Sequence, residues 1–239
     1  MILPTMNETE RIYEVFRMTN VLCDIYSECE PMLVEKFRKA TRFPYFQRIA
    51  YKDDKGNDWT LLAYMTSKDS KRKGIYRRLA YITYDIPRKR VEDDVNAGRG
   101  CIAIDPFAMQ RTVKHQNQRG AVTEIVPHAF NRYTQRYLKP LGKENIEFGY
   151  KLESILSRYL WFDVCADMYG DKNAEKHKED NICPYDMILK GGGLLRGQFV
   201  NNLLLRFTTY IGKDQMFENQ RVQYDRMMKE YWTSNRRKI

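Results

Sequence analysis

The sequence predicts an α+β fold, a mostly antiparallel sheet packed by N-terminal, middle and C-terminal helices. Three observations predict it. Apolar residues recur at helical spacing near both ends of the chain and again in its middle. Between those stretches the period drops to two, the alternation of strands. Two apolar runs also fold about short turn-forming stretches, DDKGND and KGGG, which read as hairpin turns.

Each element follows in order. Residues 8–29 carry Ile12, Val15, Phe16, Thr19 and Leu22 at helical spacing. Asn7 is the candidate cap, and Pro31 is expected to end the run because proline has no N–H for the helical ladder. A second short helix is expected over 32–42, with Leu33, Phe37 and Ala40 inward. QRIAYKDDKGNDWTLLAYMT reads as a hairpin, SKDSKRKG as a charged link and RRLAYITYDI as a third strand. PRKRVEDDVNAGRG is a polar loop, and CIAIDPF and AVTEIV are two short strands. PHAFNRYTQRYL, residues 127–138, is an amphipathic helix. Another helix is expected over 148–169, from Leu152, Ile155, Leu156, Tyr159 and Leu160, with Gly170 as its stop. DMILKGGGLLRGQFV gives two strands about a glycine turn, and LLLRFTTYI gives one more. A last helix over 214–232 is expected to bury Met216, Phe217, Tyr224, Met227, Met228 and Tyr231. The chain reads as one compact unit, 1–239. The alternative is a division into a helical and hairpin region, 1–120, and a His/Arg-helix region, 121–239.

Composition narrows the function classes. With 239 residues, 43% hydrophobic and 13% aromatic, the chain is globular and long enough to bury a core. Its net charge of +10 favours polyanionic partners, nucleic acid first. Its 31 acidic residues argue against a purely electrostatic binder, and solubility charge explains the excess equally well. Five Cys without a CxxC favour reduced thiols and a cytoplasm-like compartment. No pair of Cys or His has zinc-ligand spacing, so neither metal nor cofactor is expected. The N-terminus lacks the basic and apolar regions of a signal peptide, and no apolar run is long enough to span a membrane.

Most motifs with a known chemistry are absent. There is no GxxxxGK[ST], HExxH or GxSxG. GGGLLRG fails as a dinucleotide loop because Arg196 stands at the last glycine position, and a hairpin turn explains its glycines better. Asp163, Asp167 and Asp171 form a helical acidic stripe that reads as surface, without the oxygen ligands a divalent ion needs.

One stretch offers more. In PHAFNRYTQRYL, His128, Arg132 and Arg136 fall at i, i+4 and i+8, each about 40° from the last on a regular helix. Phe130, Tyr133 and Tyr137 fall opposite. A helix N-terminus and two guanidiniums favour a neutral imidazole, which can serve as a base. Paired guanidiniums grip a phosphate. Base and cations together are what metal-free RNA cleavage uses: the base takes the 2′-OH proton, and the cations stabilise the phosphorane. An ordinary solvated helix face has the same pattern.

VTEIVPHAFNRYTQRYL also resembles the I-x-x-H-A-x-x-R-x-x-x-R opening of toxin-like nucleases in the barnase–EndoU–colicin–RelE superfamily of metal-independent ribonucleases. A glycine hairpin and a Thr-rich strand follow in such proteins, as MILKGGGLLRGQFV and LLLRFTTYIGKDQ do here. The resemblance covers roughly residues 121–215. The chain is similar, too, to uncharacterised proteins of gut bacteria and their phages or mobile elements. The superfamily resemblance implies His128 as acid or base, Arg132 and Arg136 on the phosphate, and Thr208 and Thr209 on the Thr strand. Lys190, Arg196 and Tyr210 fall in range by strand order. The first 120 residues have no counterpart there.

The expected function is therefore RNA binding, leaning to a metal-independent endoribonuclease with His128, Arg132, Arg136, Thr209 and Lys190 at its site. Arg72, Lys73, Tyr76, Arg77, Arg88, Lys89, Arg90 and Arg196 are the expected nucleic-acid contacts, from basic clusters interleaved with tyrosine. RNA is the favoured partner, a protein inhibitor a second, and a membrane is not expected. Two alternatives stay open, a non-catalytic nucleic-acid-binding or phage accessory protein and a protein–protein module.

Overall fold

The structure is a computed structural model that describes residues 6–65, 67–85, 98–107, 122–145, 149, 151–152, 155, 159–160, 182–189, 192–200 and 204–236. The class is α+β with antiparallel strand pairing, as the sequence predicts. The chain divides into two compact units. One holds Met1–Pro127 with Leu203–Leu205, the other His128–Asn202 with Arg206–Ile239.

The first unit pairs helix α1 (Glu8–Lys39) with strands β1 (Tyr45–Lys52), β2 (Asp58–Met65), β3 (Arg77–Asp85), β4 (Arg99–Ile104) and β5 (Val122–Ile125). The strands follow each other in chain order, each antiparallel to the next. Asn7 caps α1, accepting from the Glu10 N–H while the Glu10 carboxylate accepts from the Asn7 N–H. Val15, Met18, Leu22, Tyr26, Leu33 and Phe37 form its buried stripe. Pro31 does not end the helix. It sits exposed inside it, and the two helices expected over 8–42 are one. Burial of Leu33 and Phe37 in line with the earlier stripe holds the last turns on the same core and outweighs the local cost of proline. The charged link SKDSKRKG is likewise a short helix, α2 (Lys68–Arg72), capped by the Ser67 side chain.

Polar groups tie α1 to the strands. The buried Tyr26 hydroxyl donates to the carbonyls of Leu62 and Leu79. Asp53, in the β1–β2 turn, accepts from the backbone N–H groups of Lys55 (3.0 Å) and Asn57 (2.8 Å), and from Asn57 Nδ2 (2.7 Å), Trp59 Nε1 (3.2 Å) and Arg17 (3.2 Å). Arg17 and Lys55 also bind Glu14, at 3.0 and 2.7 Å. Burial raises both carboxyls, but their hydrogen bonds overcome it, so Asp53 and Glu14 lie below the usual carboxylate range. Glu124 on β5 is buried too, accepting from Tyr84 (2.7 Å) and Arg11 (2.9 Å).

The second unit begins at His128 in helix α3 (Pro127–Tyr133), which is continued by a π turn (Thr134–Leu138) and a 3-10 turn (Lys139–Leu141). Its strands are β6 (Tyr159–Leu160), β7 (Ile182–Leu189), β8 (Leu194–Val200) and β9 (Leu204–Ile211, of which 206–211 belong here), followed by helix α4 (Glu218–Arg236). The strand order is β9-β8-β7-β6. The helix expected over 148–169 is not continuous, because Tyr159 and Leu160 are strand, paired with Leu189 and Ile188. Helical geometry is found at Lys151, Leu152 and Ile155, all buried. The pattern misleads there because a short apolar run suits a buried strand as well as a helix. Phe217 is not buried with Met216, Tyr224 and Met227. It stands 75% exposed just before α4, its N–H bound by Gln220. The side chain of Tyr231 and residues 86–97 and 237–239 lie outside what the structure describes.

Acid sensitivity follows from the depressed carboxyls. Their contribution is complete above the unfolded carboxylate pKa, roughly 4, and is lost as pH falls through the lower folded values. Asp53→Asn is expected to cost about 3 kcal/mol at pH 7, since it weakens a buried network whose other members cannot move to water. It should also flatten the acid arm of stability below pH 4. Urea unfolding at pH 7 and pH 3, wild type beside variant, measures both.

Candidate functional site

The sequence dictates the faces of α3. Pro127 takes the first turn, where its missing N–H costs nothing. Ala129, Phe130 and Tyr133 are buried, and His128 is exposed. The regular spacing expected for His128, Arg132 and Arg136 does not persist. The Lys139 N–H bonds the Thr134 carbonyl five residues back, and the chain turns more widely there. A wider turn advances less per residue, so Arg136 drifts less from Arg132 than the 40° of α spacing. Leu138 enters the core beside Thr134.

Tyr210 on β9 holds this segment. Its ring meets Tyr133 edge-on at 5.3 Å and Tyr137 at 6.5 Å, while Tyr133 and Tyr137 stack at 5.2 Å and 22°. Its hydroxyl donates to the Gly192 carbonyl at 2.6 Å, in the β7–β8 turn. Its own carbonyl accepts from Arg136 Nη1 at 2.7 Å. Burial pushes the Tyr210 hydroxyl well above the usual phenol range, so it stays a donor.

The guanidiniums are oriented without being neutralised. Arg132 donates from Nε to His128 Nε2 at 3.4 Å and from Nη1 to Gln135 Oε1 at 3.3 Å. Arg136 donates to a backbone carbonyl. Among the described residues these acceptors are all neutral. Burial lowers Arg136 from its ordinary value, and the charge of Arg132 lowers it further, while the exposed Asp214 acts on it only through its field. Two like charges are thus held side by side with their charge available to an anion.

The remaining expected residues are placed elsewhere or engaged. Strand alternation puts Thr209 on the face of β9 away from Tyr210, with Ile211, which packs against the α4 cluster of Met216, Tyr224 and Met227. Thr208 is on the Tyr210 face, exposed, and donates to the Arg196 carbonyl at 3.3 Å. Arg196 shares the face of Leu194, hence of α4, and binds the buried Asp186 through Nε (3.1 Å) and Nη2 (3.0 Å). Burial raises Asp186 despite that partner. Neither Thr209 nor Arg196 therefore joins the helix from its own face of the sheet. Arg72, Lys73, Tyr76 and Arg77 belong to the first unit. Arg72 and Lys73 pair with Asp69, at 2.6 and 2.8 Å. Tyr76 packs on Phe37 at 4.9 Å under Arg78 and donates to Glu30 at 2.7 Å, and burial and that carboxylate push it up to about 12. Arg77 is exposed at the start of β3. Lys190, Arg88, Lys89, Arg90 and the Asp163–Asp171 stripe lie outside the described residues. Gln135 was visible in the sequence as the polar residue three after Arg132. The Tyr210 carbonyl has no sequence signal.

Among the described residues no group of His, Cys, Asp or Glu is arranged to hold a metal ion, and no helix is long and apolar enough to cross a membrane. Comparison with family models, with curated proteins and with solved structures gives no match.

The β7–β8 turn underlies the site. Gly193 has φ +89°, and a Cβ there would stand 2.4 Å from the Ile211 carbonyl oxygen and 2.5 Å from the Tyr210 hydroxyl. Gly193→Ala is expected to destabilise the second unit by about 2–3 kcal/mol, as a strained φ is added to the clash. Thermal unfolding monitored by the near-ultraviolet signal of its tyrosines measures the loss.

Proposed function

We propose that this chain binds nucleic acid, RNA by preference, and that Arg132 and Arg136 grip its phosphates. The observation that carries the reading is that, among the described residues, the hydrogen-bond acceptors orienting both guanidiniums are neutral. Elsewhere in the second unit Arg196 is matched to a carboxylate, so its charge is spent within the fold. Arg132 and Arg136 keep theirs, and an anion relieves their repulsion. The net charge of +10 favours the same partner. The preference for RNA rests on the resemblance of the helix to metal-independent ribonucleases. Among the described residues Cys23, Cys29 and Cys101 are free thiols, Cys23 and Cys101 buried, which agrees with a reducing, cytoplasm-like compartment.

One contact favours a second reading, metal-independent cleavage with His128 moving the proton. The Arg132 N–H directed at His128 Nε2 suits an imidazole whose Nε2 is unprotonated beside the phosphate cations. No second acid or base on the helix face completes that mechanism among the described residues, so binding is the stronger reading.

The test separates the two. Wild-type protein should shift labelled RNA in a salt-dependent way. Arg132→Ala and Arg136→Ala should each weaken binding and flatten the salt slope by about one. Unchanged affinity in both variants would sink the phosphate grip. Incubation with RNA in EDTA, wild type beside His128→Ala, decides catalysis: a 2′,3′-cyclic phosphate product lost in the variant supports it, and intact RNA leaves a binding protein.

A further inference from the structure

We infer that the end of α1 and the helix α2 together form a second nucleic-acid contact, in the first unit, that grips phosphates by charge. Its partner class rests on the nucleic-acid reading above, its location on residues outside α3. The chain gathers cations into two segments. Residues 35–42, the last turns of α1 and the residues after it, carry four cations and one carboxylate. Residues 68–73, which hold α2, carry another four and one. The fold brings the two together. Lys71 Nζ donates to the Ala40 carbonyl at 2.7 Å. Just past α2, Tyr76 packs on Phe37 at 4.9 Å and donates to Glu30 at 2.7 Å. Joined, the two segments hold a surplus of six positive charges, in a chain whose net charge is +10.

This surplus is not consumed in making structure. Glu35 is taken by Lys39 at 2.5 Å, and Asp69 by both Arg72 and Lys73. Lys36, Arg38, Arg42 and Lys68 are exposed, and among the described residues none of them meets a carboxylate. The start of α1 is the reverse case, where Arg11 and Arg17 are matched to Glu124, Glu14 and Asp53. Cations in a last turn suit the helix dipole, which accounts for those of α1 taken singly. It does not account for a second cationic segment pinned to the same end, where like charges repel. A polyanion relieves that repulsion, and a phosphodiester backbone meets several cations at once. An anionic membrane is less suited. Met32 and Val34 are exposed but two residues apart, so they fall on opposite sides of α1, and Ile75 is a single residue, which leaves no continuous apolar face to insert.

Fluorescence anisotropy with a labelled twenty-nucleotide RNA, repeated over a range of salt, tests this. A variant combining Lys36→Gln, Arg38→Gln, Arg42→Gln and Lys68→Gln should bind about a hundredfold more weakly at 0.1 M salt, and its salt slope should flatten by about three. All four positions are exposed, so the variant should melt with the wild type. In the wild type itself, RNA should protect Lys36 and Lys68 from amine acetylation, read by mass spectrometry. Equal labelling of both with and without RNA would overturn the inference, and it needs no variant to fold. If Arg132→Ala weakens binding and the fourfold variant does not, this contact falls while the grip of α3 stands. If only the fourfold variant weakens binding, the grip of α3 falls and this contact stands. Binding to vesicles containing phosphatidylserine, with no affinity for RNA, would overturn both.

Discussion

The second unit depends on Tyr210, which is bound through ring, hydroxyl and carbonyl. The ring stands edge-on to Tyr133, the hydroxyl bonds the glycine turn at Gly192, and the carbonyl holds Arg136. These contacts join strand β9, the β7–β8 turn and the helix that carries the candidate site. They also explain why the helix departs from α geometry where it does. A regular helix would carry Arg136 further round, whereas the wider turn leaves it aligned with Arg132 and bonded to the strand. Turns of this kind recur at functional sites, where a local change of pitch re-aims a side chain.

The first unit is organised by the same principle with a different chemistry. Its buried carboxylates each accept several hydrogen bonds. Asp53 accepts five hydrogen bonds in and around one turn, Glu14 is shared by Arg17, Lys55 and Asn57, and Glu124 is shared by Tyr84 and Arg11. Breaking such a network strands buried charge, so the networks specify how α1 lies against the strands. Here Arg11, Arg17 and Lys55 each meet a carboxylate, and their charge is consumed in making structure.

That contrast gives the site its meaning. In this chain most arginines whose partners are described meet an acid: Arg11, Arg17, Arg72, Arg99 and Arg196. Arg132 and Arg136 meet an imidazole, an amide and a backbone carbonyl. Neutral acceptors restrict the geometry of a guanidinium and leave its field intact, the state in which it recognises an external anion.

Much of this was legible in the sequence because it depends on local period and local chemistry. The Asn7 cap, the DDKGND hairpin, the strand RRLAYITYDI, the glycine turn before Leu194 and the amphipathic helix at 127–138 are set by residues within a few positions of one another. So is the proximity of His128 to Arg132, one turn apart. The rest depended on contacts that no window contains. Pro31 stays helical because Leu33 and Phe37 reach the core of the first unit. Tyr159 and Leu160 are strand because β7 lies beside them. Thr209 faces away from the helix because Tyr210 fills the nearer face. The π turn, and with it the placing of Arg136 and Tyr137, is tied to a carbonyl and a ring more than seventy residues further along the chain. The sequence by itself determined which residues could form a cationic helix. Tertiary packing decided how they are oriented, because burial and distant hydrogen bonds, not spacing, determine where a side chain is held.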